Sequence, residues 1–254
     1  MVRVKYLSFF LVFFHLLSIA ADAESEINLS LRGKTQQLHL YGTPGNRSVI
    51  LSSGDLGWTG LVVHVAEFLS SHGYYVVGFN SKAYLSSFTS KTSNLRPEDV
   101  PGDFQTLIEF VRRGSNSKPV LAGVSEGAGL SVLAATHAKL QSAIQGIVGL
   151  GLPDQNELGW RWQDFGTWIT KKNPNEPSFL VEDIIHKVSP VPLAEIHSTH
   201  DEFLPLEKAK QMFARAKEPK KMWVIEAANH RFSNNREELD RRILEALAWI
   251  ASVK

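Results

Sequence analysis

Short apolar runs of strand length alternate with longer stretches of helical spacing from residue 25 onward, and this alternation constrains the fold more than any other feature. Runs at 48–51, 74–79, 120–122, 144–150, 192–197 and 222–226 read as strands. Helical spacing covers 61–71, 98–113, 126–139, 205–216 and 236–251, with Gly73 as a stop signal after the first. Residues 27–31 and 37–41 alternate with period two, as an opening antiparallel hairpin would. Taken in turn, these elements predict an α/β fold: a mostly parallel central sheet with helices on both faces. Chemistry in such sheets gathers at the carboxyl ends of the strands. Only 154–189 fits the alternation poorly. It carries Trp160, Trp162, Phe165, Trp168 and Phe179, and reads as an inserted cap or lid; an ordinary helix with tryptophans in its core is the alternative.

The first 23 residues are unlike the rest. Arg3 and Lys5 precede an apolar run at 6–17, and Ala21 and Ala23 stand where a signal peptidase reads small residues. The run is shorter than the roughly 20 residues that span a bilayer, so a cleaved signal peptide (1–23) is expected ahead of one catalytic domain (24–254). That predicts a periplasmic or secreted protein. The whole chain has 27 basic and 26 acidic residues; losing 1–23 removes Arg3, Lys5 and Asp22 and leaves the two balanced. No basic field exists to gather nucleic acid. With no cysteine, thiol catalysis, cysteine-bound metal and disulfides are excluded, and the fold must stand on its core.

The chemistry centres on Gly123-Val124-Ser125-Glu126-Gly127, a serine between two glycines straight after a strand. A serine on a sharp strand-to-helix turn needs such small neighbours, because the turn brings backbones together. The bland alternative is a glycine-rich turn with an idle serine. A nucleophilic serine also needs a base, and the base an orienting acid. Asp201 follows the 192–197 strand and His230 follows the 222–226 strand, both where a triad requires them. Glu202 is the rival acid and Asp154 a weaker one. His197 and His200 flank Asp201 three residues apart, but on an extended segment such residues point to opposite faces, so no metal is expected there. The oxyanion donors are expected to be the amides of Glu126 and Asp55, the latter in the loop Ser53-Gly54-Asp55-Leu56-Gly57-Trp58. Leu56, Trp58, Trp160 and Trp162 are the candidate substrate contacts. As the first residue of a helix, Glu126 is expected to face solvent and complement the helix dipole; facing the pocket, it would weaken oxyanion stabilisation unless a cationic substrate neutralised it.

The order of these motifs resembles the α/β-hydrolase superfamily over the whole chain after the signal. The oxyanion loop, then Val76-Val77-Gly78-Phe79-Asn80-Ser81 with Tyr84, then Gly123-Val124-Ser125-Glu126-Gly127-Ala128, resembles more narrowly the VirJ/AcvB family of bacterial virulence-associated hydrolases. That family commonly has an aromatic residue after the serine and an acidic one four beyond it, where this chain has Glu126 and Gly129. The resemblance implies a Ser125–His230–Asp201 triad and ester substrates such as aminoacylated phospholipid, notably lysyl-phosphatidylglycerol. No cofactor and no nucleic-acid partner are implied; the partner is a small-molecule or lipid ester, with transient membrane contact. Two other readings stand beside it: a carboxylesterase or dienelactone-hydrolase-like enzyme on small soluble esters, and a non-catalytic periplasmic binding or secretion-accessory module of this fold.

Overall fold

A computed structural model describes residues 24–115, 117–160 and 177–253; the expected signal peptide lies outside these residues. Eight strands form one sheet: β1 (Ser25–Leu31), β2 (Lys34–Tyr41), β3 (Ser48–Ser52), β4 (Tyr75–Phe79), β5 (Val120–Val124), β6 (Gly146–Leu150), β9 (Leu193–Ser198) and β10 (Lys220–Ile225). Their spatial order is β1-β2-β4-β3-β5-β6-β9-β10. The β1–β2 hairpin is antiparallel and β2 joins β4 antiparallel, while every pairing from β4 through β10 is parallel.

The period-two pattern sorts the strand side chains into two cores. Ile50, Val77, Phe79, Leu121, Ile147 and Leu193 face the helices Ser81–Phe88, Val100–Arg113, Glu126–Ala135 and Leu206–Ala214. Their alternates Val49, Leu51, Val76, Ala122, Val148, Ala194 and Ile196 pack beneath Leu61–Ser71 and Arg236–Ser252. No helix among the described residues is long and apolar enough to cross a membrane.

Three elements differ from the sequence reading. The expected helix 126–139 splits into Glu126–Ala135 and Ala138–Gln141, because His137 turns extended between them. A helix at Ser81–Phe88 went unforeseen; Asn80 starts it by accepting the Ala83 amide on its side chain. Of the expected cap, the described part contains a small hairpin, β7 (Gln155–Glu157) with β8 (Ser178–Leu180), followed by the short helix Val181–Ile184. Trp162, Phe165 and Trp168 lie outside the described residues.

The sheet order reverses at β3, since β4 is added on one side of it and β5 on the other. A crevice opens at such a reversal, beyond the carboxyl ends of the two strands. Residues 53–58 leave β3 there, and Ser125 leaves β5.

Candidate active site

Ser125 sits at φ 52°, ψ −120°, a conformation L residues rarely adopt, between the end of β5 and the helix Glu126–Ala135. Strain of this kind costs about 1–3 kcal/mol and persists only where its surroundings enforce it. Here they do. A Cβ on Gly123 would lie 2.2 Å from the Gly127 carbonyl carbon, and one on Gly127 would lie 2.4 Å from the Ser52 oxygen. Only glycines let the helix start so close to the sheet. The Ser125 amide donates to the Leu150 carbonyl at 2.9 Å, tying the elbow to β6. Gly129 makes room for the buried Asn156 amide, and Asn156 donates to the Glu126 carbonyl at 2.9 Å.

His230 hangs from the loop after β10. Its Nδ1 lies 2.6 Å from Asp201 Oδ2, and its Nε2 is buried and unpartnered among the described residues. The ring rests on Gly151, where a Cβ would stand 2.5 Å from Cε1. Gly151 has φ +66° and directly follows Leu150, the residue that holds the Ser125 amide. The base and the elbow therefore share the carboxyl end of β6. The Phe203 ring, half exposed, meets the imidazole edge-on at 5.1 Å.

Asp201 is fully engaged. Its Oδ1 accepts the amides of Phe203 and Leu204 at 2.9 and 3.0 Å, leaving Oδ2 for His230. Burial opposes its ionisation, but the imidazole and the two amides outweigh that and hold its pKa below the usual carboxylate range. Glu202, the rival acid, takes the His230 backbone amide at 2.8 Å instead of the ring. Asp154, the weaker rival, accepts among the described residues only through its backbone carbonyl, from Val181.

The oxyanion loop is pinned at both ends. The Ser53 amide donates to the Phe79 carbonyl at 3.0 Å, its hydroxyl accepts the Ser81 amide at 3.0 Å, and Gly57 turns back onto the Gly54 carbonyl. The expected donor Asp55 points its amide to the elbow, but onto Glu126 Oε2, at 3.0 Å. Glu126 thus turns its carboxylate onto the neighbouring loop, contrary to the solvent-facing placement its helix position implies, and occupies the Asp55 amide. Burial and the neighbouring Asp55 charge raise its pKa above the ordinary glutamate range.

The candidate substrate contacts divide. Leu56 is 48% exposed on the oxyanion loop. Trp58 is absorbed by packing: its indole donates to the Tyr41 hydroxyl at 3.2 Å, stacks on His39 at 4.7 Å and lies over Gly78. It braces the loop from the sheet side. Trp160 packs against the core on the face of the elbow helix, with the Lys82 ammonium 4.3 Å from its ring centre.

Sequence reasoning passed over Glu195 and weighed His197 only as a metal ligand; both lie buried on β9. A carboxylate two residues before a histidine within one strand was the available signal.

The comparisons bear on the fold and the family. An α/β hydrolase from Penicillium sp. sh18, GrgF, superposes with a TM-score of 0.67 at 13% identity over 89% of this chain and 98% of its own. The Pyrococcus furiosus esterase Pf2001 does so with 0.66 at 17% identity over 89% and 90%. The chain therefore has the α/β-hydrolase fold. Among curated sequences, the protein YfhR of Escherichia coli O157:H7, whose function is unassigned, is 29% identical over 160 residues, 57% of this chain. The chain spans about half the length of that relative, 53%. The profile of the family described as bacterial virulence protein (VirJ) matches residues 46–250, from the strand before the oxyanion loop into the last helix, and the chain belongs to the VirJ family.

Proposed function

We propose that this chain is an exported serine hydrolase that cleaves carboxylic esters through an acyl-enzyme. The observation that carries the reading is the Asp201–His230 pair with its unpartnered buried Nε2, lodged on the same strand end that anchors the strained Ser125. In this reading Ser125 Oγ attacks the ester carbonyl while His230 Nε2 takes its proton. Asp201 stabilises the imidazolium, and the amides of Asp55 and Glu126 hold the oxyanion. The imidazolium then protonates the leaving alkoxide, and a water activated by the same nitrogen releases the acid. The Glu126 carboxylate must swing out of the hole before substrate enters, which ties turnover to that side chain.

Ser125→Ala is expected to remove hydrolysis of a small p-nitrophenyl ester, a loss of roughly 10³-fold or more, in a protein that melts as the wild type does. Retained turnover would overturn the reading. A fluorophosphonate that left Ser125 unlabelled would favour the non-catalytic binding module.

A narrower reading takes aminoacyl-phospholipid esters as substrates. It draws on the Glu126 carboxylate at the oxyanion hole, whose charge burial and the neighbouring Asp55 disfavour and a substrate cation would favour. Family membership points the same way. Release of lysine from lysyl-phosphatidylglycerol vesicles, faster than hydrolysis of an uncharged ester of equal chain length, supports it; the reverse ranking favours small soluble esters.

A further inference from the structure

Behind the Asp201–His230 pair lies a second buried pair that the reaction as written does not use. Glu195 and His197 stand two apart on β9, so both project to the face that carries the elbow helix, and they are 1% and 0% exposed. Charged side chains this deep need partners. Glu195 Oε1 accepts the Leu152 amide at 3.0 Å and lies 3.3 Å from His197 Nδ1. Gly149, its register partner on β6, makes the space: a Cβ there would stand 2.3 Å from Glu195 Oε2.

The other nitrogen, His197 Nε2, lies 2.9 Å from the Leu204 carbonyl and 3.7 Å from Asp201 Oδ2. A carbonyl can only accept, so Nε2 carries a hydrogen. Burial works against an imidazolium here, but Glu195, the Leu204 carbonyl and Asp201 raise the His197 pKa above the ordinary histidine value. Leu204 is therefore held from both sides. Its carbonyl accepts from His197, and its amide donates to Asp201 Oδ1.

We propose that His197 is a positioning residue for ester hydrolysis: anchored by Glu195, it clamps the Leu204 carbonyl and so fixes the turn whose amides aim Asp201 at His230. The inference rests on the triad reading above. It assigns to the fold a second histidine that supports the acid through the turn at Leu204. Misplacement of a catalytic group by about an ångström can cost on the order of 100-fold in turnover, so loss of the clamp is read in kcat and not in substrate binding.

The test compares His197→Leu, which has no N–H, with His197→Gln, whose amide nitrogen reaches the same carbonyl. Turnover of a p-nitrophenyl ester is measured per site labelled by a fluorophosphonate. H197L is expected to lower kcat by about tenfold or more with KM within about twofold, and H197Q to recover it to within about threefold. Equal kcat for H197L and wild type, or an equal fall in both variants, would overturn the clamp. Should H197L not fold, His197→Met takes its place with the same expectations. Wild type that takes no label at Ser125 condemns the triad reading itself, whereas labelled wild type with an undiminished H197L condemns only this inference.

Discussion

Two carboxylates flank the serine, and they are built in opposite ways. Asp201 accepts two backbone amides and an imidazole, has a buried histidine behind it, and is held ionised. Glu126 accepts the Asp55 amide, yet it is buried beside the Asp55 charge and meets no cation among the described residues, so its proton is harder to lose. The difference teaches that proximity to a nucleophile does not set a carboxylate's task. The surroundings set it, by pushing two similar groups to opposite sides of their ordinary pKa. In the proposed reaction one carboxylate stabilises a developing imidazolium and the other is displaced by substrate.

The sharpest way to break this comparison is to neutralise each member in turn. Asp201→Asn is expected to lower kcat/KM for a small neutral ester by about 10³–10⁴-fold, because the amide presents the wrong hydrogen-bonding partner to His230 Nδ1. Glu126→Ala should raise the same quantity by roughly 3- to 30-fold, as release of a charged hydrogen bond worth about 1–2 kcal/mol would. Steady-state kinetics on both variants checks the pair; a large fall for E126A would make Glu126 a contributor to the reaction and dissolve the contrast.

Two glycines sharpen it next. Gly151→Ala drives a methyl group into the His230 ring at a positive-φ position and is expected to cost about 100-fold in kcat. Gly54→Ala meets Ser125 Cβ and Glu126 Oε2 at 3.3 and 3.4 Å, contacts that a small shift relieves, so its loss should stay under about fivefold. Comparable losses from both would mean that the hole is as rigid as the triad.

The smallest effects are in stability. The native pKa of Asp201 is depressed, so its contribution is present above the unfolded value of about 3.9 and is lost as pH falls through the native value. The native pKa of Glu126 is raised, so its penalty sets in above about 4.3 and is complete once pH exceeds the native value. Thermal unfolding from pH 3 to pH 8 should therefore show D201N below and Glu126→Gln above the wild type near neutrality, both differences shrinking toward acid.

Much of this was legible in the chain. The parallel layering follows from strand-length apolar runs alternating with helical spacing, because each strand must bury two faces and each helix one. The turn at Ser125 and the Asp201–His230 pair were to be anticipated because all three residues follow strand ends. Glu126 was misread because helix-dipole reasoning considers one element, while its carboxylate is claimed by an amide of the neighbouring loop. That Trp58 lies over a glycine on β4 is not visible in the sequence, where an aromatic in a site loop looks the same whatever it packs on. Glu195 was passed over and His197 weighed only as a metal ligand, because a strand reading treats polar residues at buried positions as exceptions and their partners come from loops after β6 and β9.

The central claim is that Ser125 is a nucleophile activated by His230 and Asp201. Intact-protein and peptide mass spectrometry after fluorophosphonate treatment tests it most directly. The expected result is a single adduct on Ser125, formed rapidly in wild type and at least about 10²-fold more slowly in His230→Ala and D201N. An unlabelled wild-type Ser125, or labelling equally fast in all three proteins, would contradict it.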